Sequence, residues 1–214
     1  MNITILGTNL VVPVVVIDDK TAALPLAETL LEVGISTMEI TLRTPNALAI
    51  IEEIAKQVPQ MIVGAGTIRN EADFKNALTA GAKYLISPGI TPRLLACADN
   101  YRQQALYIPG IVNPSQAMEC AEAGFNYLKF FPAEPYNAYA VIKSLASVFP
   151  ELKFCPTGGI SPDNMAKYLA LNNIFAVGMS SLVESKLIQS HDFAAIKRLA
   201  QAAMAIAKPT SNSL

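Results

Sequence analysis

Val11-Val12-Pro13-Val14-Val15-Val16-Ile17 is followed by Asp18-Asp19-Lys20-Thr21, and then by Ala22 to Val33, which ends at Gly34. The first run is almost wholly β-branched and has no polar alternation, the pattern of a parallel strand covered on both faces. The polar tetrad ends it, and the apolar spacing that follows is helical. One strand and one returning helix thus occupy the first stretch, and the cycle recurs along the chain. Strands are predicted at Thr37–Thr41, Met61–Ala65, Tyr84–Ser87, Ala105–Ile108, Tyr127–Phe130, Lys153–Pro156 and Ile174–Val177. The intervening helices are predicted at Asn46–Val58, Glu71–Ala80, Pro92–Asn100, Pro114–Ala123, Tyr139–Val148, Pro162–Leu171 and Asp192–Lys208. Strands alternating with helices imply a parallel sheet. Eight such units at a spacing of roughly 25 residues predict an α/β fold of the (β/α)8 TIM-barrel type. No shift in composition marks a second domain, so residues 1–214 are expected to form one barrel, with a frayed tail at 209–214.

The composition narrows the function. The chain has 214 residues, 52% of them hydrophobic and only 15% charged, so much of it must be buried. A net charge of −1 without a basic tract argues against nucleic acid as a partner. The longest apolar runs are strand-length and contain proline, which argues against a membrane span. Residues 1–10 lack the charged and apolar regions of a secretory signal. Cys97, Cys120 and Cys155 are widely spaced with no CxxC, as expected for reduced thiols in a cytoplasmic protein. The single histidine, His191, leaves little room for histidine metal sites or Ser-His and Cys-His triads. Lysine, carboxylate and backbone remain to do chemistry.

Lys129 stands out in Tyr127-Leu128-Lys129-Phe130-Phe131-Pro132 as one charge inside an apolar strand. An unpaired ammonium in such surroundings is costly, and a lysine that spends time neutral is a nucleophile toward ketones. The plain alternative is a strand-end lysine with a buried stem and a head in water. Glu39, between Met38 and Ile40, is a carboxylate in a similarly dry place, suited to proton transfer or to a structural ion pair with Arg43 or Lys129. Alternation puts Thr37, Glu39 and Thr41 on one face, Val63, Ala65 and Thr67 on another strand's face, and Tyr127 with Lys129 on a third. Arg43 keeps the parity of Glu39 only if its strand runs on. It suits a carboxylate substrate or is an ordinary loop arginine. Thr67 lines the site or caps the next helix. Pro156-Thr157-Gly158-Gly159-Ile160-Ser161-Pro162, together with Gly178-Met179-Ser180-Ser181, offers backbone N–H groups at two neighbouring strand ends where phosphate binds in this fold.

Several long motifs in this order resemble the 2-keto-3-deoxy-6-phosphogluconate (KDPG) and 4-hydroxy-2-oxoglutarate (KHG) aldolases. They are Glu39-Ile40-Thr41-Leu42-Arg43-Thr44, Val63-Gly64-Ala65-Gly66-Thr67, Ile86-Ser87-Pro88-Gly89, Ile108-Pro109-Gly110, Lys129-Phe130-Phe131-Pro132-Ala133-Glu134 and Phe154-Cys155-Pro156-Thr157-Gly158-Gly159-Ile160. The resemblance implies a class I aldolase without metal or other cofactor, forming a homotrimer and cleaving a phosphorylated 2-keto acid to pyruvate and D-glyceraldehyde 3-phosphate. By position it implies that Lys129 forms the Schiff base and Glu39 moves protons. Arg43 and Thr67 would hold the pyruvate-derived carboxylate, Gly158, Gly159 and Ser180 the phosphate, and Thr157 would line the channel. Met179 and Ser181 depart from the glycine and bulky aromatic of many relatives, and Asp18 from an arginine that some carry. Alternatives are an aldolase for KHG or for the galactonate epimer, a phosphosugar isomerase or epimerase, and a non-catalytic phosphosugar-binding barrel.

Overall fold

The computed structural model describes residues 3–7 and 9–207. After a 3-10 turn at Ile3–Leu6, the strands are β1 (Val11–Val15), β2 (Thr37–Thr41), β3 (Ile62–Gly66), β4 (Tyr84–Ile86), β5 (Leu106–Ile108), β6 (Gly110–Ile111), β7 (Tyr127–Phe130), β8 (Lys153–Pro156) and β9 (Val177–Met179). The helices are α1 (Ala23–Glu32), α2 (Ala47–Gln57), α3 (Glu71–Thr79), α4 (Pro92–Asn100), α5 (Pro114–Glu122), α6 (Ala138–Val148), α7 (Pro162–Leu169), α8 (Ser185–Gln189) and α9 (Phe193–Ile206). Every pairing is parallel. One sheet has the order β5-β4-β3-β2-β1-β9 and the other β6-β7-β8. Parallel bridges Phe154↔Ile174 and Thr157↔Gly178 connect the second sheet to the segment carrying β9. At the other side the chain passes from β5 to β6 through Pro109, which has no N–H to pair, while its carbonyl accepts from Lys129 N at 2.9 Å.

The fold is therefore α/β with parallel sheets, and its helices start where the side chains direct. Asn70, Thr91, Asn113 and Asp192 accept from the backbone N–H three residues on, and prolines 92, 114 and 162 occupy first-turn positions. The strands separate two cores. Val11, Val15, Ile40, Val63 and Ala65 pack with the helices, whereas Val12, Tyr84, Ile86, Leu106, Ile108 and Cys155 pack against each other on the opposite face.

Three sequence expectations change. The last strand is Val177–Met179 rather than Ile174–Val177, where only a single bridge forms at Ile174. The strand predicted at Ala105–Ile108 forms as β5, but a further short strand, β6, follows it beyond Pro109, and helix α8 adds an element that the sequence does not predict. Lys208 and the tail at 209–214 lie outside the described residues. Among the described residues no helix is long and apolar enough to cross a membrane.

Candidate active site

Lys129 on β7 and Glu39 on β2 are 90 positions apart in the chain, yet Nζ lies 3.3 Å from Oε1. Lys129 is 6% exposed and Glu39 1%. Alternation explains the meeting, since residues 37, 39 and 41 face the strand-enclosed side and Lys129 does so from across it. Beneath Lys129 the register sets Cys155, whose thiol burial pushes up to about 12, so it is a neutral neighbour. Thr37 Oγ1, 3.0 Å from both Ile62 O and the Tyr84 hydroxyl, closes the polar accounts deeper in. Space for Glu39 comes from Gly66, where a Cβ would sit 1.9 Å from Oε1. The ion pair that would make Glu39 purely structural is present as geometry, but the pair is not sealed. It opens on a cavity of about 270 Å³ that Arg43, Thr67, Thr157, Gly158 and Ser180 also line.

Thr67 reaches this cavity by a route that alternation does not give. Val63 and Ala65 pack with the helices, so residue 67 in extended register would point the same way. Its φ of 63° is left-handed, a sparsely populated conformation for a β-branched residue, and the expected shared face with Val63 and Ala65 is broken there. β2 ends at Thr41, where the sequence places it, so Arg43 does not carry on the alternation of Glu39. Arg43 follows in an exposed turn and still lines the cavity.

Gly158 (φ 97°) and Gly159 (φ 82°) are both left-handed, which lets the loop after β8 turn back over the strand ends. Ala133 N donates to Thr157 O at 2.8 Å, and Glu134 N to Gly158 O at 3.0 Å, so the segment after β7 braces that loop. Gly178 on β9 allows Thr157 to pass, because a Cβ there would meet Oγ1 at 2.2 Å. A second cavity, of about 560 Å³, shares Val14, Arg43 and Ser180 with the first, and Gly159, Ser161 and Ser181 also line it. Of the three departures, Ser181 lines the second cavity. Met179 is fully buried with the helix-side core, and the Asp18 carboxylate accepts from Asn46 N at 3.0 Å, at the start of α2. Among the described residues no group of three or more His, Cys, Asp or Glu is arranged to hold a metal ion.

Lys129, Glu39, Arg43, Thr67, Thr157, Gly158, Gly159 and Ser180 thus each border one or both of two adjoining cavities at the C-terminal ends of the strands. The sequence model of the KDPG and KHG aldolase family matches residues 3–199. The chain belongs to this family. Among KDPG and KHG aldolases it is 44% identical over 195 residues to the 2-dehydro-3-deoxy-phosphogluconate aldolase of Pseudoalteromonas atlantica, covering 91% of this chain and 90% of that one. It is 40% identical over 205 residues to the KHG/KDPG aldolase of Escherichia coli K12, covering 96% and 95%. The crystal structure of the Legionella pneumophila KDPG aldolase, with pyruvate captured as a covalent carbinolamine, superposes with a TM-score of 0.89 at 39% identity, covering 93% of this chain and 96% of that one.

The sequence reading missed Val14, Pro88 and Phe131 in the first cavity and Val183, Glu184 and Ser185 in the second. Val14 was legible, since it alternates with interior Val12. Phe131, whose ring centre lies 5.1 Å from Lys129 Nζ, follows the end of β7 and carries no such signal. Nothing in the sequence sets Glu184 apart from other loop carboxylates.

Proposed function

We propose that this chain is a class I aldolase that cleaves KDPG to pyruvate and D-glyceraldehyde 3-phosphate through a Schiff base on Lys129. The observation that carries the reading is one buried amine 3.3 Å from one buried carboxylate, on different strands, at the floor of a cavity that leads into a second, hydroxyl-rich one. A proton passing from Nζ to Glu39 frees the amine without changing the total charge of the pair. The amine attacks the C2 ketone, and Glu39 returns the proton so that the carbinolamine loses water as an iminium. Glu39, now a carboxylate, takes the C4 hydroxyl proton directly or through a water. The electrons of the C3–C4 bond flow into the iminium, giving the aldehyde and an enamine. Protonation of the enamine at C3 and hydrolysis of the imine release pyruvate and restore Lys129.

Arg43 and Thr67 hold the carboxylate of the pyruvyl half. Gly158, Gly159 and Ser180 bind the phosphate, and Thr157 lines the path between. The iminium is the electron sink, so no metal or other cofactor takes part in this scheme. The bridges Phe154↔Ile174 and Thr157↔Gly178, with the Pro109 link opposite, favour a closed (β/α)8 barrel as one domain over residues 1–214. A homotrimeric, cytoplasmic enzyme completes the reading by family likeness.

Borohydride added with pyruvate should reduce the imine and tag Lys129, as a peptide map would reveal. An untagged Lys129 in protein that still turns over would remove the covalent step. Lys129→Arg should be inactive despite its charge, because guanidinium does not give up its proton. Glu39→Gln should lose at least ~100-fold in kcat, the low end for general acid–base catalysis, and near-normal turnover would take the proton-transfer role from Glu39. The E. coli relative's name adds KHG, and relative kcat/KM for KDPG, its galactonate epimer and KHG ranks the three.

A further inference from the structure

The second cavity has charged residues at only two places in its lining, Arg43 and Glu184. Arg43 also borders the first cavity, where the carboxylate end of the substrate would sit. Glu184 borders only the second. Its carboxylate is held by Lys186 at 2.8 Å, but Lys186 is 76% exposed against 43% for Glu184 and is not among the lining residues. Glu184 therefore borders the cavity, and its counter-charge stands out in solvent. Among the described residues the rest of the distal wall is serine, glycine and aliphatic side chain, with no second cation in the lining to offset the carboxylate.

From this asymmetry we propose that Glu184 is a specificity-determining residue. Its carboxylate repels a dianionic group in the second cavity and so lowers the preference for phosphorylated 2-keto acids relative to shorter, unphosphorylated ones. The inference rests on the aldolase reading and deepens it. KHG ends one carbon beyond the bond that breaks, too short to enter the second cavity, and does not meet Glu184. KDPG, one carbon longer and ending in a phosphate, does. The effect acts on binding, so it falls on KM rather than on kcat, and as an interaction of partly exposed charges it weakens with salt.

The test compares wild type, Glu184→Gln and Lys186→Gln for pyruvate release from KDPG and from KHG, at low and high ionic strength. Glu184→Gln should raise kcat/KM for KDPG about three- to tenfold at low salt, the order expected for one charge facing a dianion several ångströms away in a water-like medium. It should leave KHG within about twofold, as expected for a surface charge that KHG does not meet. Lys186→Gln, which bares the carboxylate, should shift KDPG the opposite way. An unchanged KDPG-to-KHG ratio in both variants overturns the role of Glu184. If wild type cleaves neither substrate, the aldolase reading is what fails. Calorimetric titration with inorganic phosphate then still decides on Glu184, since Glu184→Gln should bind it more tightly, and equal binding in the two proteins overturns the inference.

Discussion

The Lys129–Glu39 pair owes its room to the absence of one methyl group. Gly66 faces Glu39 directly, and a Cβ at that position would overlap Oε1 and crowd the two carbons behind it. The carboxylate is the mobile party, because backbone β3 is fixed by its pairing with β2 at all five positions. Gly66→Ala should therefore push Glu39 away from Lys129 more than it unfolds the protein. We expect kcat to fall at least about tenfold, with a stability loss of about 1–3 kcal/mol from overpacking. Steady-state kinetics beside urea unfolding checks both numbers, and unimpaired kcat would mean that the Glu39 position tolerates displacement. At this scale the sequence was informative where a charge stood among apolar neighbours, as at Glu39 and Lys129. It was uninformative where backbone rather than side chain decides direction. Thr67 enters the cavity because its φ is positive, and nothing in Val63-Gly64-Ala65-Gly66-Thr67 announces that a threonine rather than a glycine takes the left-handed position. Glu184 escaped notice for a different reason, since its meaning depends on which neighbouring cation points outward.

Among the elements, α7 does more than cover β8. Tyr168, fully buried on α7, meets Glu134 Oε1 at 2.5 Å, and Lys167 approaches the same oxygen at 3.3 Å. Glu134 follows β7 in the segment whose N–H groups brace Thr157 and Gly158. The hydrogen bond from Tyr168, reinforced by Lys167, holds the Glu134 carboxyl below the usual carboxylate range, and burial with the same bond pushes the Tyr168 phenol up. A carboxyl lowered by folding adds stability above its unfolded pKa, and that stability fades as pH falls through the folded value. Tyr168→Phe removes the main cause. Because Glu134 is partly exposed, the loss should be modest, about 1 kcal/mol near neutral pH, and the variant should approach wild type in acid. The loosened loop should raise KM for KDPG more than for KHG. Parallel denaturation curves at pH 3 and pH 7, with KM for both substrates, test the connection, and a pH-independent difference would sever it. Regular elements were easy to place where proline and a capping side chain coincide, as at Thr91-Pro92 and Asn113-Pro114. Ile174 to Met179 was harder, because three apolar residues precede the three that pair with β1, so composition leaves the start of the strand open.

Across the whole molecule, the first strand and the last helices are fastened to each other. Val177 N donates to Leu10 O at 2.9 Å, and Lys197 on α9 pairs with Glu32 on α1 at 2.8 Å. Between these, Asp19 in the loop after β1 meets His191 Nε2 at 2.7 Å, across 172 positions of sequence. His191 sits at φ 53°, just before Asp192 caps α9, so the contact fixes the joint between α8 and α9. The hydrogen bond from His191, with two more from Thr21, lowers the Asp19 carboxyl from 3.8 to about 2. Since the folded value lies below the unfolded one, the Asp19 contribution is complete above about pH 4 and is lost as pH falls through about 2. Asp19→Asn should accordingly be less stable than wild type at pH 5, with the gap closing on acidification toward pH 2 as the wild-type carboxyl takes up its proton. Thr21 bonds to the other oxygen of the same carboxyl, so His191→Gln should narrow that pH dependence without abolishing it. Equilibrium unfolding of the three proteins in steps from pH 2 to pH 5 resolves the sign. A gap that is constant across the range would place the effect of Asp19 in its polarity or packing rather than in its charge.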